Sequence, residues 1–190
     1  MDPILLDFPD TFDTERLTIR APRPGDGARV AEAVRESLPE LRPWMRWAQE
    51  DPSVEAQEAR IRQRIADWLT RRQLLLLSFL KGTDTFVVSS GLHNIDWEAR
   101  TFEIGYWVRT KFAGQGYATE TINGITDFAF TYLKANRVAI RCDAKNARSA
   151  AVARRCGFLL EGVLRNDSLG VDGSLRDTLI FSKISALELH

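Results

Sequence analysis

The sequence predicts an α+β fold: a mostly antiparallel, mixed sheet of about seven strands with helices on its faces. Three observations predict it. Short apolar runs at Leu74–Leu80, 86–92 and 102–108 are joined by short polar turns, KGTD at 81–84 and DWEAR at 96–100, the spacing of an antiparallel meander. Two longer stretches, 54–72 and 118–132, carry apolar residues at helical spacing. Between them, residues 102–120 run from a strand through two glycines one residue apart and straight into a helix.

A chain of 190 residues is long enough to bury a core and fits one domain, 1–190. Lys plus Arg and Asp plus Glu both number 26, so the formal net charge is zero, which disfavours a generic nucleic-acid binder. Cys142 and Cys156 form no CxxC pair and have no metal-ligand spacing with His93 or His190, so no metal is expected. Reduced, buried thiols fit a cytoplasmic protein. The N-terminal MDPILLDFPD lacks a basic n-region, and the longest apolar run, Leu74–Leu80, is far too short to span a membrane.

The elements follow in order. Leu17–Arg20 alternates apolar and polar residues and reads as a first strand. PRPGD breaks it, and residues 25–37 follow as a helix with Val30, Ala33 and Val34 on one side. In PELRPWMRWA, residues 39–48, Trp44 and Trp47 lie three apart and would share a face of a helical turn. They are either core residues or one wall of a cleft, with Arg42 and Arg46 beside them. Ser53 is a candidate N-cap for a helix over 54–72 whose stripe is Ile61, Ile65, Trp68 and Leu69. After the three meander strands and the glycine turn, Ala118, Ile122, Ile125, Phe128, Ala129 and Tyr132 mark the next helix. A strand at 138–142 and a short helix at 149–156 follow, the helix stopped by Gly157. Strands at 158–165 and 175–182 close the chain around the turn signal Val171-Asp172-Gly173.

A strand, a glycine turn and a helix N-terminus together hold anions, because freed backbone N–H groups and the helix dipole point the same way. A dinucleotide fingerprint needs a third glycine where Thr119 stands, and no P-loop pattern occurs. The turn, Lys111-Phe112-Ala113-Gly114-Gln115-Gly116, does resemble the pyrophosphate loop of the GNAT acyltransferases, Q/R-x-x-G-x-G/A, with Lys in the first position. EIGYWV, GYATE, Asn146-Ala147-Arg148-Ser149, Arg155-Cys156-Gly157-Phe158 and Glu161-Gly162 follow in that family's order. With the early TERLTIR and PWMRW, they are similar to the branch that acetylates the N-termini of ribosomal proteins. The resemblance spans about residues 14–182.

That resemblance implies an acetyl-coenzyme A-dependent N-acetyltransferase acting on an amine, most simply a protein N-terminal α-amine; small-molecule amines and a non-catalytic acyl-CoA sensor are the alternatives. Homodimers are common among the resembling proteins. It implies that backbone amides of Lys111, Phe112, Ala113, Gly114, Gln115, Gly116, Tyr117 and Ala118 hold the cofactor. It also implies that amides near Tyr106, Trp107 and Val108 polarise the thioester, with a bulge there parting this strand from 138–142. An attacking amine must lose a proton. Glu103, the only acidic residue in its strand, is either a solvated edge residue or the base; strand alternation sets it with Gly105 and Trp107, opposite Phe102, Ile104 and Tyr106. A glutamate here often has the base role in the family. Ser149 reads as an N-cap, and the resemblance adds a general-acid role for it and cofactor binding for Asn146. Trp44, Trp47 and Arg46 are the substrate-side candidates, with Arg42 and Glu161 less favoured. His93 reads as a surface or hydrogen-bonded residue at a strand end.

Overall fold

The computed structural model describes residues 2–185; His190 lies outside them. The strands are β1 Thr11–Asp13, β2 Leu17–Arg20, β3 Leu74–Leu80, β4 Phe86–Asp96, β5 Thr101–Val108, β6 Arg137–Asp143, β7 Leu159–Leu169 and β8 Leu175–Ile184. The helices are α1 Asp26–Leu41, α2 Val54–Leu69, α3 Tyr117–Thr131 and α4 Ala147–Arg155. All the strands join one sheet in the order β1-β2-β3-β4-β5-β6-β8-β7. The pairs are antiparallel except β5 with β6, which run parallel because α3 carries the chain back between them. This is the α+β, mostly antiparallel mixed sheet that the meander spacing predicts.

Both faces of the sheet are covered. Val30, Val34 and Leu38 of α1 and Ile61 of α2 pack with Leu77, Phe79 and Phe86. Ile122, Ile125, Phe128 and Ala129 of α3 pack on the other part of the core with Phe102, Ile104, Val138 and Ile140. Strand alternation on β5 therefore sends Phe102 and Ile104 under α3 and leaves Glu103, Gly105 and Trp107 for the α1/α2 side.

Several local expectations are corrected. β1 is an added edge strand, only three residues long, too short to show alternation in sequence. The first helix runs on through Pro39 to Leu41, since a proline in the last turns forfeits one hydrogen bond while Leu38 and Leu41 still bury their side chains. Ser53 does cap α2, accepting from the Ala56 N–H at 3.0 Å, but Leu69 at its end is 63% exposed and leaves the stripe. Trp44 and Trp47 are neither paired nor core: Trp44 is half-buried and Trp47 is 40% exposed. The chain leaves α1 before them and re-coils only at Arg46–Ala48, so the two rings face different cavities.

Candidate active site

Between β5 and α3 the chain makes one turn of 3-10 helix, Thr110–Phe112, and then the glycine turn. Gly114 and Gly116 have φ of +78° and +84°, left-handed values that a side chain makes costly. The N–H groups of Gly114, Gln115, Gly116, Tyr117 and Ala118 find no acceptor among the described residues. Together with the N-terminus of α3 they form a cradle for an anion. The cradle is fixed from behind by residues distant in sequence. Glu120, in the first turn of α3, accepts from Thr14 Oγ1 at 2.6 Å, Arg16 N at 2.7 Å and Arg16 Nε at 2.6 Å. The same guanidinium donates to the Gln115 carbonyl at 3.0 Å and lies over the Tyr117 ring at 4.3 Å. Burial alone would raise the Glu120 carboxyl, but the Thr14 and Arg16 donors hold it below the ordinary glutamate value. Lys111 sits 4.0 Å from Glu36 of α1, so its charge is partly answered by the protein.

Next to the cradle the sheet opens. β5 and β6 pair only from Thr101/Arg137 to Glu103/Ala139, and beyond that the two strands part. The expected bulge at Tyr106–Val108 is absent from the β4/β5 ladder, which is regular there; its irregularity falls between His93 and Asp96, where Asn94 has φ of +47°. The opening comes from divergence of the parallel pair instead. Beside this parting lies a cleft of about 1690 Å³ lined by the glycine turn, Tyr106–Val108, Trp44 and the start of α4.

At the inner end of that cleft Tyr106 meets Ser149. Tyr106 Oη lies 2.8 Å from Ser149 Oγ, with either atom able to donate, and donates to the Ser149 carbonyl at 3.1 Å. Burial pushes the Tyr106 phenol up to about 12, despite its bond to Ser149. The N-cap of α4 is Asn146, whose Oδ1 accepts from Ser149 N at 3.1 Å, so the expected Ser149 cap is corrected. The helix starts two residues earlier than its alanines suggest, and the Ser149 hydroxyl is thereby available for other partners. Asn146 spends its oxygen on the helix and lines the cleft, its amide N–H₂ making no hydrogen bond among the described residues. Cys142 lies beside Ser149 with its thiol pushed up by burial, and Cys156 is pushed up to about 11 by the same cause.

A second cavity, of about 440 Å³, lies under α1 and α2 on the opposite face of the sheet, and Tyr106, Trp107 and Met45 border both spaces. Trp47 and Trp107 stand 6.0 Å apart at its mouth. His93, read from sequence as a surface or hydrogen-bonded residue at a strand end, lies within β4, half-buried, and lines the cavity. Its Nε2 occupies the space a side chain at Gly105 would take, 2.9 Å from that position, and lies 3.9 Å from Glu103 Oε1. Burial lowers the His93 imidazole below 6.5, opposed by Glu103 and aided by Arg64. Glu103 itself accepts from Asn94 Nδ2 at 3.0 Å and stands behind His93, outside the set of residues lining either space.

The structure thus brings Tyr106, Trp107, Val108, Phe112, Ala113, Gly114, Gly116, Tyr117, Ala118, Asn146, Ser149 and Trp44 to one cleft. Trp47 belongs to the second cavity. Arg46 donates to the carbonyls of Leu169 and Gly170 at 3.0 and 3.1 Å and straps the tryptophan segment to the β7–β8 hairpin. Glu161 is tied to Arg137 and Ser182 on the far strands, a structural position that holds its carboxyl down to about 2. Sequence reasoning missed Arg16, the role of Glu120 and the place of His93. For the first two the signal was present, since TERLTIR and GYATE are the segments that meet here.

Comparison with known proteins agrees with this geometry. The model of the acetyltransferase (GNAT) domain family matches residues 16–159. YdaF of Bacillus subtilis (strain 168), whose name assigns it provisionally as a ribosomal N-acetyltransferase, is 35% identical over 175 residues, 88% of this chain and 91% of its own. Among solved structures, the microcin C7 self-immunity acetyltransferase MccE in complex with acetyl-CoA and AMP superposes with a TM-score of 0.82 at 25% identity, over 90% of this chain and 94% of that one. RimL, the ribosomal L7/L12 α-N-protein acetyltransferase in complex with coenzyme A, shares the fold with a TM-score of 0.83 at 22% identity, covering 90% and 95%. The parted parallel strands, the glycine cradle and the matched domain model together make this chain a member of the GNAT acetyltransferase family.

Proposed function

We propose that the chain moves an acetyl group from acetyl-coenzyme A to a primary amine, a protein N-terminal α-amine before any other, by direct attack in a ternary complex. The observation that carries this is the cleft beside the parting of β5 from β6, lined by unpartnered amides of the glycine turn and by the Tyr106–Ser149 pair. The residues fit the cofactor: the free N–H groups of residues 114–118 suit a pyrophosphate, while those of Lys111, Phe112 and Ala113, expected to share in this, are already given to Glu36, Arg109 and Thr110. Asn146 and the edge of β5 freed beyond Glu103 suit an amide-bearing arm. Acetyl-coenzyme A supplies the acyl group already activated as a thioester.

The chain's own groups then have distinct tasks. Amides at Tyr106–Val108 polarise the carbonyl. His93, whose basic form burial favours and which lies 3.9 Å from Glu103, accepts the proton that the amine sheds. Ser149 donates to the departing sulfur and is resupplied by Tyr106. Trp44 and Trp47, with Arg46 fixing their segment, wall the acceptor side. The α-amine acceptor follows the ribosomal assignment in the name of YdaF; the small size of the second cavity, about 440 Å³, supports a small-molecule amine as the second reading. Two free, buried thiols fit a reducing cytoplasm.

Thiol release from acetyl-coenzyme A over a panel of peptides, polyamines and aminoglycosides tests the proposal, with Glu103→Gln and Ser149→Ala as controls. Turnover is expected to fall in Ser149→Ala, and in Glu103→Gln to keep its level near neutrality while its acid limb moves. Tight cofactor binding with no turnover on any amine would leave a non-catalytic acyl-CoA-binding module instead.

A further inference from the structure

The cavity under α1 and α2 is rich in hydrogen-bond donors and has no carboxylate among its lining residues. Gln57 of α2 is 5% exposed, and its Nε2 is buried with no acceptor among the described residues. Arg60, one residue from that helical face, also lines the cavity and makes no ion pair or hydrogen bond among the described residues. Arg64 does have partners, Asp67 at 2.9 Å and Gln73 at 2.6 Å, but Asp67 is shared with Arg72 at 2.7 Å, leaving the local charge positive. His93 closes the same wall, with Glu103 behind it at 3.9 Å.

Such a lining repels polycations. A polyamine or an aminoglycoside would bring several ammonium groups into a space with no counter-charge. We infer that this cavity is the acceptor pocket and selects a primary amine carrying a carboxylate within about one residue of its nitrogen. The carboxylate lies toward Arg60, and the amine toward His93 and Tyr106. A neighbouring positive field also favours the uncharged form of the amine, the form that attacks. The inference rests on the acetyl-transfer reading for the reaction, and adds the charge of the acceptor.

Equilibrium binding separates the two claims. The full chain, saturated with coenzyme A so that no acetyl group can move, is titrated with Ala-Glu-amide, Ala-Gln-amide, Ala-Lys-amide and free glutamate. The acidic dipeptide is expected to bind about tenfold tighter than its glutamine twin, and the lysine dipeptide weakest. Arg60→Glu, an exposed position, is expected to abolish that preference. Free glutamate binding as tightly as Ala-Glu-amide assigns the site to a free amino acid; weaker binding assigns it to a chain terminus with an acidic second residue. Equal affinities, preference for lysine, no binding by any of the four, or an unchanged preference in Arg60→Glu would overturn the inference. Selective binding without thiol release from acetyl-coenzyme A would overturn the acetyl-transfer reading and leave the pocket's selectivity standing.

Discussion

Tyr106 stands where the two cavities meet, and its chemistry follows from its burial. A phenol pushed up to about 12 stays protonated across any working pH, so it can donate but never serve as a base. With Ser149 at 2.8 Å it forms a two-hydroxyl relay toward the site of the departing sulfur. Tyr106→Phe is therefore expected to lower kcat by about 10- to 100-fold, in the lower range for a lost acid–base partner. The KM for acetyl-coenzyme A should change little, because the hydroxyl is remote from the glycine cradle; steady-state kinetics separates the two. His93 gives the opposite pH limb. Its folded imidazole is held below 6.5 by burial, so the basic form dominates at neutrality. Activity should rise as pH increases through that depressed pKa and level off before pH 7. Glu103 opposes the depression, so Glu103→Gln should shift the limb to still lower pH, and His93→Asn should remove it. A limb unmoved in both variants would take His93 out of proton transfer.

The strand, glycine turn and helix from β5 to α3 act as one element, and their precision depends on partners outside them. Gly116 takes φ of +84°, and a side chain there would also meet Arg16 Nη2 at 3.3 Å. Gly116→Ala combines a left-handed strain of about 1–2 kcal/mol with displacement of Arg16. The KM for acetyl-coenzyme A should rise about tenfold, with kcat much less affected, as initial rates against cofactor concentration would show. Glu120→Gln keeps the shape but surrenders the charge that gathers Thr14 and Arg16, so a weaker cofactor affinity of several-fold is expected by calorimetry. This element was legible because glycine spacing and the EIGYWV and GYATE segments report backbone needs directly. The N-cap of α4 was less so. Asn146 and Ser149 are both good caps, and only the path of the preceding chain decides that the asparagine oxygen takes the Ser149 N–H. Pro39 misled for a similar reason, since burial of Leu38 and Leu41 outweighs one missing hydrogen bond.

Across the whole molecule, the alternation of apolar runs sufficed for the meander and both helix-covered faces, but it could not show pairing between segments. The parting of β5 from β6 leaves no mark in either strand's sequence, because it is a property of their registers. His93 escaped notice because its burial depends on the missing side chain at Gly105 and on the roof that α2 provides. That parting has a mechanical consequence. The β1–β5 part and the β6–β8 part of the sheet share a ladder of only the pairs Thr101/Arg137, Phe102/Val138 and Glu103/Ala139. A ligand that fills the gap bonds to both parts at once and stabilises the folded state by its binding free energy, about 2.7 kcal/mol at a concentration of 100 Kd. For a domain of this size that corresponds to a rise in Tm of about 5–10 °C on adding coenzyme A. Hydrogen exchange should localise the gain: the amides of 104–108 on β5 and 140–143 on β6 that face the gap, and not those already paired with β4 and β8, should become protected, while the β1–β2 hairpin should change little. Protection confined to the glycine turn, with the two strands still exchanging freely, would show that the ligand is held by its phosphates alone and does not enter the opened sheet.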